Sequence, residues 1–305
     1  MIRLKNKKLV IILSILLIII LVLVSLIFFI QAPKQNTPSD LGAKTPIPKI
    51  DNIVIITEEN RTYKSIVGSP HATYINQLIN NGASTTNYYA VSKNPYIAMT
   101  SGALTSIPNS CLPNNKKCQT QVANITDEII QSGRTWKMYA EDMPSPCYPT
   151  NTSKYTVRHN PFIFYSSILN DKSLCESHVV PYSEFLKDID NNLPNISFVS
   201  PNICNDMHSC STAVGDKWLS ENVPKILNSK PFKSQNSLLI ITWDEGFGID
   251  NKVLTIFLGP AAKNNYKSNE AYTHYSILHT IEYLWGLNTL TKNDANAIIM
   301  SDMLK

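Results

Sequence analysis

The chain has 305 residues and a formal net charge of +4, and this excess lies entirely within residues 1–30, which hold four basic side chains and no acidic one. Of the 27 basic residues, 23 therefore remain to balance the 23 acidic ones, and no broad basic surface is expected for binding nucleic acid. With 43% apolar and 16% charged residues, the composition also excludes disordered, collagen-like and coiled-coil proteins.

An apolar run covers residues 9–30 and is interrupted only by Ser14 and Ser25. At about 1.5 Å per residue, a helix of this length spans a bilayer core of about 30 Å. The run is longer than the apolar part of a cleaved signal peptide, and no small-residue cleavage site follows it. We therefore predict an uncleaved transmembrane signal anchor at 9–30. The basic tip at 1–8 is predicted to be cytoplasmic and the rest of the chain extracytoplasmic.

Residues 31–50 include four prolines and are predicted to form a Pro-rich linker. The remaining segment, 51–305, has the length of one large α/β domain. Its six cysteines fit an oxidising compartment outside the cell. Six cysteines allow fifteen pairings, and a zinc site is an alternative that the lack of a Cys-x-x-Cys pair disfavours. The spacing favours the pairs Cys111 with Cys118, Cys147 with Cys175, and Cys204 with Cys210.

Apolar segments alternate with amphipathic ones along this outer domain. Continuous apolar runs predict buried strands at 52–57, 135–140, 196–200, 237–243 and 253–258. Apolar residues at helical spacing predict helices at 71–80, 215–228 and 275–285. This alternation predicts an α/β fold with a mostly parallel β-sheet flanked by helices on both faces.

Polar clusters follow three of the predicted strands, at the edge where parallel sheets carry their chemistry. The clusters are Glu58-Glu59-Asn60, the Asp206-Met207-His208 segment, and Asp244-Glu245. Each alone has an ordinary interpretation, because carboxylates also cap helices and occupy surface turns. Together their oxygens suit a hard divalent cation, and Asp206 with His208 adds a position that contains nitrogen.

Ordered sequence blocks extend this pattern over residues 52–288. They include Glu59-Asn60-Arg61, the 92–102 segment, Arg158-His159-Asn160-Pro161, Gly215-Asp216-Lys217-Trp218, Trp243-Asp244-Glu245 and Thr273-His274-Tyr275. The blocks resemble the phosphoesterase family that includes acid phosphatases and bacterial phospholipases C. This family is related in fold to the alkaline phosphatase superfamily. The resemblance implies an alkaline phosphatase-like fold and hydrolysis of phosphoric esters.

The resemblance also implies roles for individual residues. Ser92 would be the nucleophile, would coordinate the metal and would form a phosphoserine intermediate, because metal coordination activates a hydroxyl. His159, His208 and His274 would lie in the phosphate pocket as hydrogen-bond donors. The implied metal ligands besides Ser92 are Glu59, Asn60, Asp244 and Glu245, with Asp206 contributing as well.

The number of divalent cations, one or two, is left open. With one, a protonated histidine must donate to the leaving oxygen, which favours acidic pH. With two, Asp206, His208 and His274 would bind the second cation, which would stabilise the leaving oxygen instead. The oxygen-rich first ligand set favours one cation.

The segment after Ser92 departs from the family pattern. Related sequences usually have Leu-Pro-Asn-Tyr there, whereas this chain has Lys93-Asn94-Pro95-Tyr96. Thr100 and Ser101 are therefore alternative nucleophiles. Ser92 has an alternative role as the cap of a helix that begins near Asn94.

The leading prediction is a membrane-anchored, extracytoplasmic, metal-dependent phosphomonoesterase of the acid phosphatase type. Within the same class, the alternative is a phospholipase C or another phosphodiesterase, although bacterial phospholipases of this family resemble a longer chain. In a different class, the alternative is a non-catalytic surface protein that binds a ligand with this fold. The full set of predicted ligands together with Ser92 disfavours that alternative.

Overall fold

The computed structural model describes residues 49–248 and 251–305. The predicted basic tip (1–8), the anchor (9–30) and nearly all of the predicted linker lie outside these described residues. Within the described ranges, no helix has the length and apolar content needed to cross a bilayer.

Eleven strands are present in the described residues. In chain order they are β1 Asn52–Glu58, β2 Ala83–Thr85, β3 Tyr88–Tyr89, β4 Trp136–Ala140, β5 Val179–Pro181, β6 Ile196–Ser200, β7 Ser237–Trp243, β8 Lys252–Val253, β9 Thr255–Leu258, β10 Tyr266–Ser268 and β11 Tyr272–Thr273. Eight form the main sheet in the order β10-β2-β9-β7-β1-β6-β4-β5, and β11-β3-β8 form a small second sheet. In the main sheet, β9 pairs antiparallel with β2 and β7, while the other pairs are parallel.

The helices connect and flank these strands. In chain order they are α1 Tyr63–Ile66, α2 Thr73–Asn81, α3 Pro95–Ser101, α4 Ile125–Gln131, α5 Ser166–Leu169, α6 Lys172–His178, α7 Tyr182–Asp188, α8 Thr212–Asn228, α9 Lys230–Ser234, α10 His274–Trp285 and α11 Lys292–Ala295. Four short 3₁₀ helices lie at Lys116–Cys118, Val157–His159, Pro161–Phe164 and Ser301–Met303.

Strand β1 lies at the centre of the main sheet, between β6 and β7. Ile53 is in register with Ile196 on one side and with Leu238 on the other. All seven residues of β1 are buried, as are those of β6 and β7. Since successive side chains point to opposite faces, both faces of the sheet are covered. The predicted α/β fold with a mostly parallel sheet is confirmed.

The predicted strands at 196–200 and 237–243 have the observed bounds, and the helix predicted at 215–228 begins one turn earlier, at Thr212. The single strand predicted at 253–258 is wrong. Its first residue, Val253, belongs to β8 in the small sheet, whereas β9 joins the main sheet. The chain passes from one sheet to the other at Leu254, which the uniform apolar run does not reveal.

Three disulfides link Cys111 with Cys118, Cys147 with Cys175, and Cys204 with Cys210. These are the pairs that the spacing favours, and none of the cysteines is free. The bonded cysteines are 7, 28 and 6 positions apart in the sequence. The zinc alternative for these residues is therefore wrong, because disulfide sulfurs are not thiolate ligands.

Helix α3 is held at both ends by left-handed residues. Asn94 precedes it with φ 46°, and its side-chain amide donates to the main-chain oxygen of Thr105 at 2.9 Å. Gly102 ends it with φ 68°, and its main-chain oxygen accepts from the Asn293 side chain at 2.8 Å. A Cβ at position 102 would lie 2.2 Å from Oδ1 of Asp294, so only glycine fits there.

Glu282 on α10 is a buried carboxyl group at 1% exposure. Burial, and then the neighbouring Asp294 carboxylate, raises the pKa of Glu282 to about 9. Between its ordinary pKa of about 4.3 and this raised value, the folded protein holds a proton that the unfolded chain releases. The stability from this group is therefore complete below the ordinary pKa and is lost as the pH rises towards about 9.

We expect Glu282→Gln to be more thermostable than the wild type at about pH 8 and nearly equal to it at about pH 4.5, because the amide has no proton to lose. A gain of about 1 kcal/mol would raise the Tm by roughly 2–4 °C. Thermal unfolding at both pH values measures the effect. Glu221→Gln, on the exposed face of α8, is the control. An equal difference at the two pH values would contradict the expectation.

Candidate active site

The polar residues that follow β1, β6 and β7 meet at one edge of the main sheet, because these three neighbouring strands are parallel. The main-chain nitrogen of Glu59 donates to the main-chain oxygen of Asp206 at 2.8 Å. That of Asn60 donates to Oδ1 of Asp244 at 3.3 Å. The strand-end clusters predicted from the sequence are thus bonded to one another.

Glu59 is a buried carboxylate with contacts from two other segments. Its Oε1 accepts from the Tyr96 hydroxyl at 2.6 Å and lies 3.1 Å from Nε2 of His159. The other ring nitrogen of His159, Nδ1, lies 2.7 Å from Oδ2 of Asp206. Both distances are short, but neither contact has the angle of a hydrogen bond. The His159 ring therefore lies between the Glu59 and Asp206 carboxylates, and neither ring nitrogen has a hydrogen-bond partner among the described residues.

His208 lies beside His159 at the same edge, with their ring centroids 5.5 Å apart. One potential ligand atom from each of Glu59, His159 and His208 lies within 4.8 Å of the other two. The backbone nitrogen of His208 donates to Oδ1 of Asp206 at 2.8 Å. These three side chains could bind one cation. They include His159, which the sequence did not predict as a metal ligand.

The short loop that carries Asp206 and His208 is closed by the disulfide between Cys204 and Cys210. Arg61 attaches this loop to the end of β1. Its guanidinium donates to the main-chain oxygens of Asn60 at 2.8 Å and of Cys210 at 2.7 Å. The covalent bond and this double contact fix the loop relative to Glu59.

The electrostatics of this edge favour a cation. Burial, and then the Asp244 and Asp206 carboxylates, raises the pKa of Glu59 well above its ordinary value. Burial, and then Glu245, raises the pKa of Asp244 to about 8. Within residues 49–248 and 251–305, no lysine or arginine forms an ion pair with these carboxylates. Buried carboxylates need positive charge nearby to stay ionised, so the donor set fits a hard divalent cation.

A cleft opens at this edge of the sheet. Five of the predicted site residues line it, namely Glu59, Ser92, His159, Asp244 and Glu245. Asn60, Asp206, His208 and His274 do not line it, although each contacts a residue that does. The cleft therefore joins most of the predicted nucleophile and metal ligands in one space.

Ser92 is exposed in the loop before α3 and lines the cleft. Its hydroxyl accepts from the Asn251 side chain at 3.4 Å, and the cap of α3 is Asn94, so Ser92 does not cap the helix. The alternative nucleophiles lie within α3. The hydroxyls of Thr100 and Ser101 both donate to main-chain oxygens one turn earlier, and neither residue lines the cleft with Ser92. Ser92 is therefore favoured over Thr100 and Ser101 as the nucleophile, because it is the one of the three that lines the cleft.

His274 begins α10 and is fully buried. Its Nε2 donates to the main-chain oxygen of Asp244, and its Nδ1 accepts from the Tyr88 hydroxyl at 2.7 Å. Burial lowers the pKa of His274 to about 4, so the ring is neutral at neutral pH. Both ring nitrogens of His274 therefore have hydrogen-bond partners, and the bond from Nε2 fixes the main chain at Asp244. Its predicted contact with phosphate stays a prediction.

Two residues of the site were not predicted from the sequence. Tyr96 donates to Glu59, and Arg158 lines the cleft with Nη2 3.4 Å from Nε2 of His208. Burial raises the pKa of Glu245, and the positive charge of Arg158 opposes that rise. The Arg158-His159 block was visible in the sequence, but the side-chain position of Arg158 was not.

Comparison with known proteins places this geometry in context. The family model described as the Phosphoesterase family matches residues 70–288. The chain is 34% identical over 251 residues to a phosphatidylinositol-3-phosphatase of Mycobacterium tuberculosis, covering 80% of each chain. It is 28% identical over 266 residues to a probable acid phosphatase of Kluyveromyces lactis, covering 81% of this chain and 61% of the yeast protein.

Solved structures agree on the fold. A protein in the alkaline phosphatase superfamily from Vibrio parahaemolyticus superposes with a TM-score of 0.59 at 13% identity, covering 84% of this chain and 72% of its own. The lipoteichoic acid synthase from Listeria monocytogenes gives 0.55 at 10% identity, covering 81% and 76%. At such identities the likeness concerns the fold alone.

Proposed function

Because this chain belongs to the phosphoesterase family and is a hydrolase of phosphoric esters, we propose that it is a metal-dependent phosphomonoesterase that acts through a phosphoserine at Ser92. The observation that carries the proposal is the cleft, where an exposed serine hydroxyl shares one space with Glu59, Asp244 and His159. The related proteins of Mycobacterium tuberculosis and Kluyveromyces lactis are both named phosphatases, which favours a monoesterase over a phospholipase C.

In the first step, Ser92 Oγ loses its proton to solvent and forms a bond to phosphorus while the bond between phosphorus and the leaving oxygen breaks. The leaving alcohol takes up a proton, which would come from His159, the one histidine among the described residues that line the cleft. Water then attacks the phosphoserine, which releases inorganic phosphate and restores the Ser92 hydroxyl. A burst of alcohol before steady-state release of phosphate is the kinetic sign of this order.

Glu59, Asn60, Asp244 and Glu245, with Ser92, would hold the divalent cation, since their oxygen donors fit a hard metal. When bound, such a cation supplies Lewis acidity, which lowers the pKa of a coordinated hydroxyl and balances the charge of the phosphoryl group. Asp206 and His208 would hold a second cation if one is present. The protein holds the two carboxylates in place by hydrogen bonds. The Tyr96 hydroxyl donates to Glu59, and the Asn60 main-chain nitrogen donates to Asp244.

Arg158 would bind the non-bridging oxygens of the phosphoryl group. Its guanidinium lines the same cleft as Ser92 and lies on the side of His208. A guanidinium presents paired donors that match two phosphate oxygens, and it keeps its charge at any physiological pH. It is thus suited to orient the ester for attack by Ser92 Oγ.

The proposed setting is the outer side of a cell membrane, with residues 9–30 as a single-pass anchor and the N-terminus in the cytoplasm. The charge of the tip and the length of the apolar run support the anchor. The three disulfides support an oxidising compartment for the catalytic domain. The proposed partners are therefore a phosphate ester and the lipid bilayer, with no nucleic acid.

The direct test is the release of product by the full chain, purified in detergent, from p-nitrophenyl phosphate and from bis(p-nitrophenyl) phosphate. We expect turnover of the monoester at least about tenfold faster than of the diester, over some part of a range from about pH 4 to pH 9, when Mg²⁺, Mn²⁺, Ca²⁺ or Zn²⁺ is supplied. Faster turnover of the diester would favour the phosphodiesterase alternative. A folded, metal-loaded chain that is inactive on both would contradict the proposal and favour a binding protein.

A further inference from the structure

The cleft at the sheet edge has a second kind of lining that the phosphoryl chemistry does not use. Besides the carboxylates, histidine and arginine, it is lined by a set of apolar side chains that we call the apolar wall. The wall consists of Ile97, Ile107, Pro108 and Phe164. A site for phosphate alone has no need of these residues.

The members of the apolar wall come from three segments that are bonded to one another. Ile97 lies in α3, and its main-chain oxygen is 3.5 Å from the hydroxyl of Tyr165, the residue after Phe164. The loop with Ile107 is attached to the start of α3 by the bond from the Asn94 side chain to the Thr105 oxygen. The segments that carry the wall are therefore linked to one another by hydrogen bonds beside the cleft.

The wall is also held firmly. Ile97 and Phe164 are nearly fully buried, and Ile107 is half-buried against the core. The main-chain nitrogen of Cys111 donates to the Pro108 oxygen at 2.9 Å, and the disulfide from Cys111 to Cys118 closes the end of the same loop. A rigid apolar surface beside a reactive centre binds an apolar group without first losing conformational freedom.

Resting on the proposed function, we infer that the apolar wall selects phosphate monoesters whose leaving alcohol is apolar. The phosphoryl group occupies the polar side near Ser92 and Arg158, and the leaving group then covers the wall. A polyol such as glycerol gains nothing there, because its hydroxyls would have to leave water without partners. Ile107 is the member best placed to be changed, because it is only half-buried and lies in a loop rather than in the core.

The test compares kcat/KM for n-hexyl phosphate, 1-naphthyl phosphate and glycerol 3-phosphate in the full chain. Hexanol and glycerol are both alkyl alcohols, so their esters have similar intrinsic reactivity. We expect the wild type to prefer the hexyl over the glycerol ester by about tenfold or more, the range that an apolar pocket supplies. Comparing the 1-naphthyl and n-hexyl esters shows whether the wall binds an aromatic or an aliphatic leaving group better.

We expect Ile107→Asn to lower kcat/KM about tenfold for the better apolar ester, mainly through KM, and less than about twofold for the glycerol ester. Ile107→Thr keeps the branched shape and is used if Ile107→Asn impairs folding. It should also lower kcat/KM for the apolar ester more than for the glycerol ester. Leu104→Asn is the control, since Leu104 is in the same loop and 60% exposed but does not line the cleft. It should leave all three substrates unaffected.

An equal loss on all three esters, or no loss on any, would overturn the inference while leaving the proposed function intact. The same holds for a wild type that hydrolyses hexyl and glycerol phosphates equally well. A folded, metal-loaded wild type without activity on any monoester would overturn the proposed function and this inference with it.

Discussion

Ser92→Ala is expected to lower kcat for phosphate release by about 10³-fold or more, because Ser92 is the only serine or threonine among the described residues that line the cleft. Its KM should change little, since Arg158 and the other proposed metal ligands, Glu59, Asn60, Asp244 and Glu245, are intact. The decisive measurement is acid quenching during turnover of a ³²P-labelled monoester. The wild type should yield a labelled peptide that contains Ser92, and the variant should yield none.

Ser101→Ala is the matched control for this prediction, because Ser101 is an alternative nucleophile from the sequence. Its hydroxyl donates to the Ile97 main-chain oxygen at 2.7 Å within α3, and it is fully buried. We expect this variant to keep activity and labelling close to those of the wild type. Normal phosphate release by Ser92→Ala, together with an inactive Ser101→Ala, would exclude Ser92 as the nucleophile.

Asp244→Asn is expected to have the second large effect. It should lower the activity and raise the Tm of the metal-free protein. Loss of a carboxylate ligand should lower kcat/KM by about 10³-fold, since a catalytic cation contributes several kcal/mol to the transition state. Metal content per chain, measured by elemental analysis, should fall with it. In the metal-free protein near pH 7 the same change should raise the Tm, because burial raises the pKa of Asp244 and the carboxyl must take up a proton on folding, whereas an amide need not.

A damaged fold would lower both the activity and the Tm. Lower activity together with a higher Tm of the metal-free protein therefore indicates the loss of a metal ligand. Asp142→Asn is the control, because Asp142 follows strand β4 of the same sheet and accepts from the Asn202 side chain without lining the cleft. It should keep metal content and activity. Full activity and full metal content in Asp244→Asn would show that the cation is held elsewhere or is not needed.

Much of the central sheet could be predicted because its strands are buried on both faces. Such strands appear as unbroken apolar runs, and β6 and β7 were predicted with their observed bounds. The strands of two or three residues, such as β3 and β11, are too short to produce any pattern. The change of sheet at Leu254 was missed for a related reason, since an apolar run records burial but not the partner strand.

The site was predictable where backbone topology alone decides position. Parallel strands bring their ends together, so Glu59, Asp206 and Asp244 were expected to meet, and they do. Tyr96 and Arg158 depend instead on how separate loops pack side chains against one another. Tyr96 has the sequence environment of a core aromatic, and only the structure shows its hydroxyl on Glu59. The engagement of both nitrogens of His274 is equally invisible in the sequence.

Gly102 connects the cleft to a part of the chain almost two hundred positions later. Asn293 and Thr291 bind its carbonyl, and Asp294 fills the space where a side chain would stand. Through Gly102 these residues set where α3 stops, and α3 carries Tyr96 and Ile97 into the cleft. A substitution at Thr291, Asn293 or Asp294 is therefore expected to alter catalysis by moving the end of α3, although none of these residues lines the cleft.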